Sequence, residues 1–128
     1  KITGGNLSLV VATLGTDHEI NTDGKILFLE ETNEASYRID RMLQQLRLAG
    51  KFDKLQGIIL GDFKNPKQAD PTDMTIDEVF YDNFGKLNIP IIKNFKSGHV
   101  RPFITVPIGA KAKIDTYNRQ IIIEKSTK

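Results

Sequence analysis

Cysteine and tryptophan are both missing from this 128-residue sequence, and histidine occurs only twice. Without cysteine there is no disulfide framework and no thiolate metal site, a pattern that fits a reducing compartment but also many exported bacterial proteins. No apolar run approaches the roughly twenty residues of a membrane-spanning helix, and no basic, apolar, small-residue order marks a signal peptide. Charge of one sign is lacking too. Eighteen basic against sixteen acidic residues leave +2, and the basic residues are spread along the chain, so no nucleic-acid footprint is expected. No membrane association is expected either, and the expected compartment is the cytoplasm. The sequence opens at Lys1-Ile2-Thr3 without an initiating methionine, as a fragment would.

What is present is ordinary for a globular domain: 39% hydrophobic and 27% charged residues in a length suited to one core. Asn6 is a good helix N-cap, and Leu7, Val10, Val11 and Leu14 make one apolar stripe before Gly15, although the β-branched pair Val10-Val11 keeps a strand in competition. Residues 25–29 form a compact apolar run read as a buried strand, ended abruptly by Glu30-Glu31 at the strand end where open α/β sheets gather ligand sites. Residues 36–49 keep helical spacing, with Asn33 or Ser36 as cap and Gly50 as stop. A second buried strand is expected over 56–60, followed by an exposed loop over 64–73. Thr75 and Glu78 form a possible capping box for a helix whose Ile76, Val79, Phe80 and Phe84 face inward. Further strands are expected from residue 89, over 103–108 and 111–115, and over 120–124, the last two as a hairpin. Strand and helix mix throughout, giving one α/β domain of several short strands and two or three helices.

Few residues can carry chemistry. His99 follows a glycine in a loop between predicted strands, where a ring can face a cleft and move a proton near neutral pH. His18 lies among Thr16, Asp17 and Glu19 in a solvated turn. Taken on residues alone, the plain readings lead: His99 satisfied by backbone, His18 simply exposed, and Glu30 left in water or paired with Arg38 or Arg41. No metal site is expected, because the two histidines are far apart and neither has a ligand pattern, and no cofactor is expected. Gly4-Gly5 before the Asn6 helix suits a phosphate turn or a tight strand-to-helix turn equally.

As a whole, the chain resembles the LD-carboxypeptidase family. The resemblance rests on Gly4-Gly5-Asn6-Leu7-Ser8-Leu9, Leu14-Gly15-Thr16, Ile26-Leu27-Phe28-Leu29-Glu30-Glu31, Tyr37-Arg38-Ile39-Asp40-Arg41-Met42-Leu43, Gly98-His99-Val100-Arg101-Pro102 and Thr105-Val106-Pro107-Ile108-Gly109, in the family's order. These segments resemble the second domain only, whose fold is a layered, swivelling β/β/α arrangement. One departure is Asn33, near which many members carry glycine; asparagine also tolerates left-handed geometry.

The resemblance implies a Ser-Glu-His triad in which a preceding domain brings the serine and this one brings Glu30 and His99. His99 would take the serine proton and return it to the leaving amine, and Glu30 would fix its tautomer. Glu30 is preferred over its neighbours Glu31 and Glu34 by motif alone. Ser8, Ser36, Ser97 and Ser126 lie outside any Gly-x-Ser-x-Gly setting, so the nucleophile is expected elsewhere. The implied substrate is a murein tetrapeptide cut before its terminal D-amino acid, typically D-alanine; the implied partners are the serine domain and, possible on an apolar interdomain face, a second copy. Two alternatives stay open: a relative that cleaves aminoacyl or peptidyl nucleotides of the microcin C type, and a non-catalytic binding domain.

Overall fold

The computed structural model describes residues 1–64, 66, 68, 70–99 and 101–125. Its elements are β1 (Ile2–Asn6), α1 (Leu7–Ala12), β2 (Ile26–Thr32), α2 (Ser36–Leu48), β3 (Gly57–Lys64), α3 (Ile76–Phe84), β4 (Ile91–Ile92), β5 (Ala112–Asp115) and β6 (Gln120–Ile123). Strands β1 to β4 form one sheet in sequence order with every pairing parallel, while β5 and β6 form an antiparallel hairpin.

Successive side chains of a strand point to opposite faces, and here both faces are covered. Leu27 and Leu29 of β2, with Ile58 and Leu60 of β3, pack with Leu7, Leu43, Val79 and Phe84 from the three helices. Ile26, Phe28 and Ile59 point the other way, against Phe95, Ile114 and Ile121 from the loop after β4 and the hairpin. This makes three layers: helices, parallel sheet, and hairpin with loop. The layered β/β/α class expected above is the architecture found.

Several boundaries differ from the sequence reading. β2 and β3 run on past Leu29 and Leu60, so Glu30 and Glu31 lie inside a strand, where a register shift breaks the pairing with β3 between Leu29 and Glu31. Helix α1 stops at Ala12, short of Gly15, and α2 starts from Ala35, which gives no side-chain cap, in place of Asn33 or Ser36. Residues 103–108 are not a strand: Pro102 and Pro107 lack ladder donors, and the segment is fixed by isolated bonds such as Ile104 N to Lys96 O at 2.6 Å. β1 runs straight through two glycines that speak against a strand. The reason is space, since a Cβ on Gly4 would stand 1.9 Å from the Phe28 carbonyl oxygen. No helix among the described residues is long and apolar enough to cross a membrane.

Candidate active site

Strand alternation separates the two adjacent glutamates. Glu30 has the parity of Ile26 and Phe28 and meets the loop layer; Glu31 has the parity of Leu27 and Leu29 and meets α1. Both are buried. The Glu31 carboxylate accepts from Asn6 Nδ2 at 3.0 Å, Ser8 N at 2.9 Å, Ser8 Oγ at 2.5 Å and Thr32 N at 3.0 Å. Burial on its own would raise its pKa, but the bonds from Ser8, Thr32 and Asn6 outweigh that and hold it below the ordinary glutamate value. Its oxygens are fully engaged at the start of α1, where Asn6 Oδ1 also caps Leu9 N at 3.2 Å. Glu34 is occupied as well, by Arg38 at 3.4 Å.

Glu30 makes a different partnership. His99 Nδ1 lies 2.8 Å from Glu30 Oε2, although 69 residues separate them. The Glu30 side chain is 9% exposed and the imidazole 50% exposed. An ionised carboxylate only accepts, so Nδ1 carries the proton in the neutral ring and Nε2 keeps a free lone pair. Among the described residues Glu30 is the ring's only hydrogen-bond partner.

The loop that brings His99 there is stitched to the C-terminal end of β3. Phe95 N donates to Leu60 O at 3.0 Å, Asp62 N to Ser97 O at 2.8 Å, and Lys64 Nζ to His99 O at 3.4 Å. Gly61 makes room for this approach, because a Cβ there would be 2.5 Å from Ser97 O. Asp62, missed in the sequence reading, has a buried Oδ2 without a hydrogen-bond partner among the described residues and borders, with Asn94 and Lys96, a cavity of about 210 Å³. Only its place after Gly61 at a strand end could have signalled it.

Among the described residues, none of the other candidates hydrogen-bonds to this pair. His18 is exposed in its turn. Ser8 is bound to Glu31, Ser97 is buried, and Ser36 is buried with a hydroxyl that has no partner among the described residues; Ser126 is outside the described residues. A larger apolar groove of about 430 Å³, between α3 and β4, is lined by Phe80, Tyr81, Phe84 and Ile91 and includes neither Glu30 nor His99.

An imidazole backed by a buried carboxylate is an arrangement that can activate a nucleophile by taking its proton. Residues 1–114 match the family model described as LD-carboxypeptidase C-terminal domain, and the chain belongs to that family. It is 43% identical over 126 residues to the probable murein peptide carboxypeptidase of Bacillus subtilis (strain 168), a match covering 97% of this chain and 39% of that protein. The muramoyltetrapeptide carboxypeptidase of Oxalobacter formigenes superposes with a TM-score of 0.84 at 30% identity, over 94% of this chain and 43% of that one. The microcin C7 self-immunity protein MccF of Escherichia coli is 32% identical over 125 residues, 96% of this chain and 37% of its own. Its structure in complex with aspartyl sulfamoyl adenosine superposes with a TM-score of 0.86, at 28% identity over 98% of this chain and 38% of that one. The chain thus spans about two-fifths of the length of the relatives it matches.

Proposed function

We propose that this domain supplies Glu30 and His99 to a Ser-Glu-His triad whose serine lies on a further, preceding domain, and that the whole protein is an LD-carboxypeptidase. The observation that carries the reading is the 2.8 Å contact between His99 Nδ1 and Glu30 Oε2, with the carboxylate buried and the ring half open. In this mechanism Nε2 of His99 accepts the serine proton as the hydroxyl attacks the amide carbonyl. The imidazolium, stabilised by Glu30, then protonates the leaving amine, and a water repeats the cycle to release the acyl group. The leaving group is a terminal D-amino acid, typically D-alanine, from a murein tetrapeptide, and the reaction belongs in the cytoplasm, where muropeptides are recycled. The higher identity to the murein peptide carboxypeptidase than to MccF, 43% against 32%, supports this substrate over an aminoacyl nucleotide.

The test is D-alanine release by the full-length protein. His99→Ala lowers turnover by about three to four powers of ten with little change in KM, since a general base acts mainly in the transition state. Glu30→Gln is damaging but milder, and residues 1–128 alone release nothing. Near-normal turnover by His99→Ala would end the triad reading, and preferential cleavage of an aminoacyl sulfamoyl adenosine would move the substrate to the MccF type.

A further inference from the structure

The carboxylate–imidazole contact depends on a residue with no side chain. Gly98 has φ +137°, a backbone conformation that L side chains rarely adopt, and it faces Glu30 of β2 and Asp62 of β3. A Cβ on it would stand 3.2 Å from Glu30 Oε2, 3.3 Å from Glu30 Cβ and 3.1 Å from Asp62 Cβ. All three distances are tighter than ordinary van der Waals contact, and the first involves the same oxygen that bonds His99 Nδ1. The neighbours come from two adjacent strands, so a methyl group there meets both at once. The loop has little freedom to lift instead. The carbonyl before Gly98 is held by Asp62 N at 2.8 Å, the carbonyl after it by Lys64 Nζ at 3.4 Å.

We propose that Gly98 is a positioning residue of the dyad: its missing side chain lets the Glu30 carboxylate rest against the loop backbone and meet Nδ1 of the next residue. This deepens the triad reading and rests on it. A methyl group at residue 98 displaces Glu30 Oε2 from the ring, and the imidazole then loses the partner that fixes its tautomer while the sheet and helices stay as they are.

The experiment reads the ring nitrogens of the 128-residue chain by ¹⁵N NMR at a pH where both imidazoles are neutral, with exposed His18 as an internal reference. In the wild type His99 shows the Nδ1–H form, whereas His18 shows the mixture of an unconstrained ring. Glu30→Ala, which removes the acceptor, and Gly98→Ala both shift His99 toward the His18 pattern. Gly109→Ala is the control for backbone strain, because Gly109 also has a left-handed φ, +87°, but among the described residues a Cβ there meets nothing within 4 Å. It leaves the His99 tautomer unchanged.

Retention of the Nδ1–H form in Gly98→Ala, with its loss in Glu30→Ala, would overturn the role of Gly98 and leave the dyad standing. If His99 matches His18 already in the wild type, the dyad itself fails, and the triad reading with it. Global unfolding of Gly98→Ala beside a folded Gly109→Ala would also overturn the proposal, making residue 98 a requirement of the fold and not of the pair. Amide exchange in Gly98→Ala adds a second readout: the Asp62 amide, bonded to Ser97 O, keeps its protection as the Ile58 and Leu60 amides of β3 do, and its loss would overturn the proposal by showing that the loop lifts and the carboxylate does not move.

Discussion

Glu30 and Glu31 are consecutive, both acidic and both buried, yet they perform separate tasks because a strand sends neighbours to opposite faces. Glu31 is 5% exposed and satisfied by four donors, so it acts as a fixed anion that ties α1 and β1 to β2. Replacing it with glutamine removes the charge from these bonds and sets an amide N–H against Ser8 or Asn6, at a cost of about 1–3 kcal/mol at neutral pH. The sign of the pH dependence follows from its depressed pKa. The folded carboxyl binds its proton less readily than the unfolded one, so the unfolded chain takes up protons first as pH falls. The Glu31 contribution is therefore complete above the ordinary value near 4.5 and is lost as pH drops through the lower folded value. Urea unfolding of wild type and Glu31→Gln from pH 7 to pH 2 should show a constant stability gap that closes only in the acid range. A gap that persists at pH 2 would mean that the charge was not its source.

Among the elements, legibility tracked how local the cause was. The capping box of α3 stands as read from Thr75 and Glu78: Glu78 N donates to Thr75 Oγ1 at 3.2 Å, and Thr75 N to Glu78 Oε2 at 2.7 Å. Thr75→Ala removes one of these bonds and should cost about 1 kcal/mol, a fall in Tm of about 4 °C by calorimetry. An unchanged Tm would show that water replaces the hydroxyl at this exposed cap. Asn33 is equally local, and its φ of +57° is the left-handed geometry its residue type allows. The buried strands were legible from their apolar runs, but not their ends, because pairing with a neighbour carries β2 and β3 on through polar residues. β1 was hidden because Gly4 answers to the Phe28 carbonyl, a contact 24 positions away that no local pattern records. The site divides in the same way. His99 and Glu30 could be named from motif resemblance, but their contact, and the parts played around it by Gly61, Asp62 and Gly98, depend on packing between strand ends and a distant loop.

At the scale of the whole molecule, the sheet is covered on both faces, while the His99 ring is half open and the segment that follows its loop exposes apolar groups. Phe103 is 59% exposed and Ile104 52%, and the Ile104 N–H is bonded to Lys96 O, which holds this segment against the loop that carries His99. Apolar side chains displayed on such a segment suit a surface that a partner covers. On the triad reading that partner is the serine domain, which must approach His99 closely enough for a hydroxyl to reach Nε2 and would bury these two side chains on the way. Burying a large apolar side chain contributes about 1.5–3 kcal/mol, so replacing both Phe103 and Ile104 with serine should weaken the association of residues 1–128 with a separately expressed serine domain by at least about a hundredfold. Calorimetric titration measures the affinity, and D-alanine release at saturating serine domain measures whether the assembled site is intact. The expected result is a weaker Kd with turnover restored at saturation, and an unchanged His99 tautomer in the free domain. Unchanged affinity would place the docking surface on another face, and lost turnover at saturation would mean that the two side chains shape the site itself.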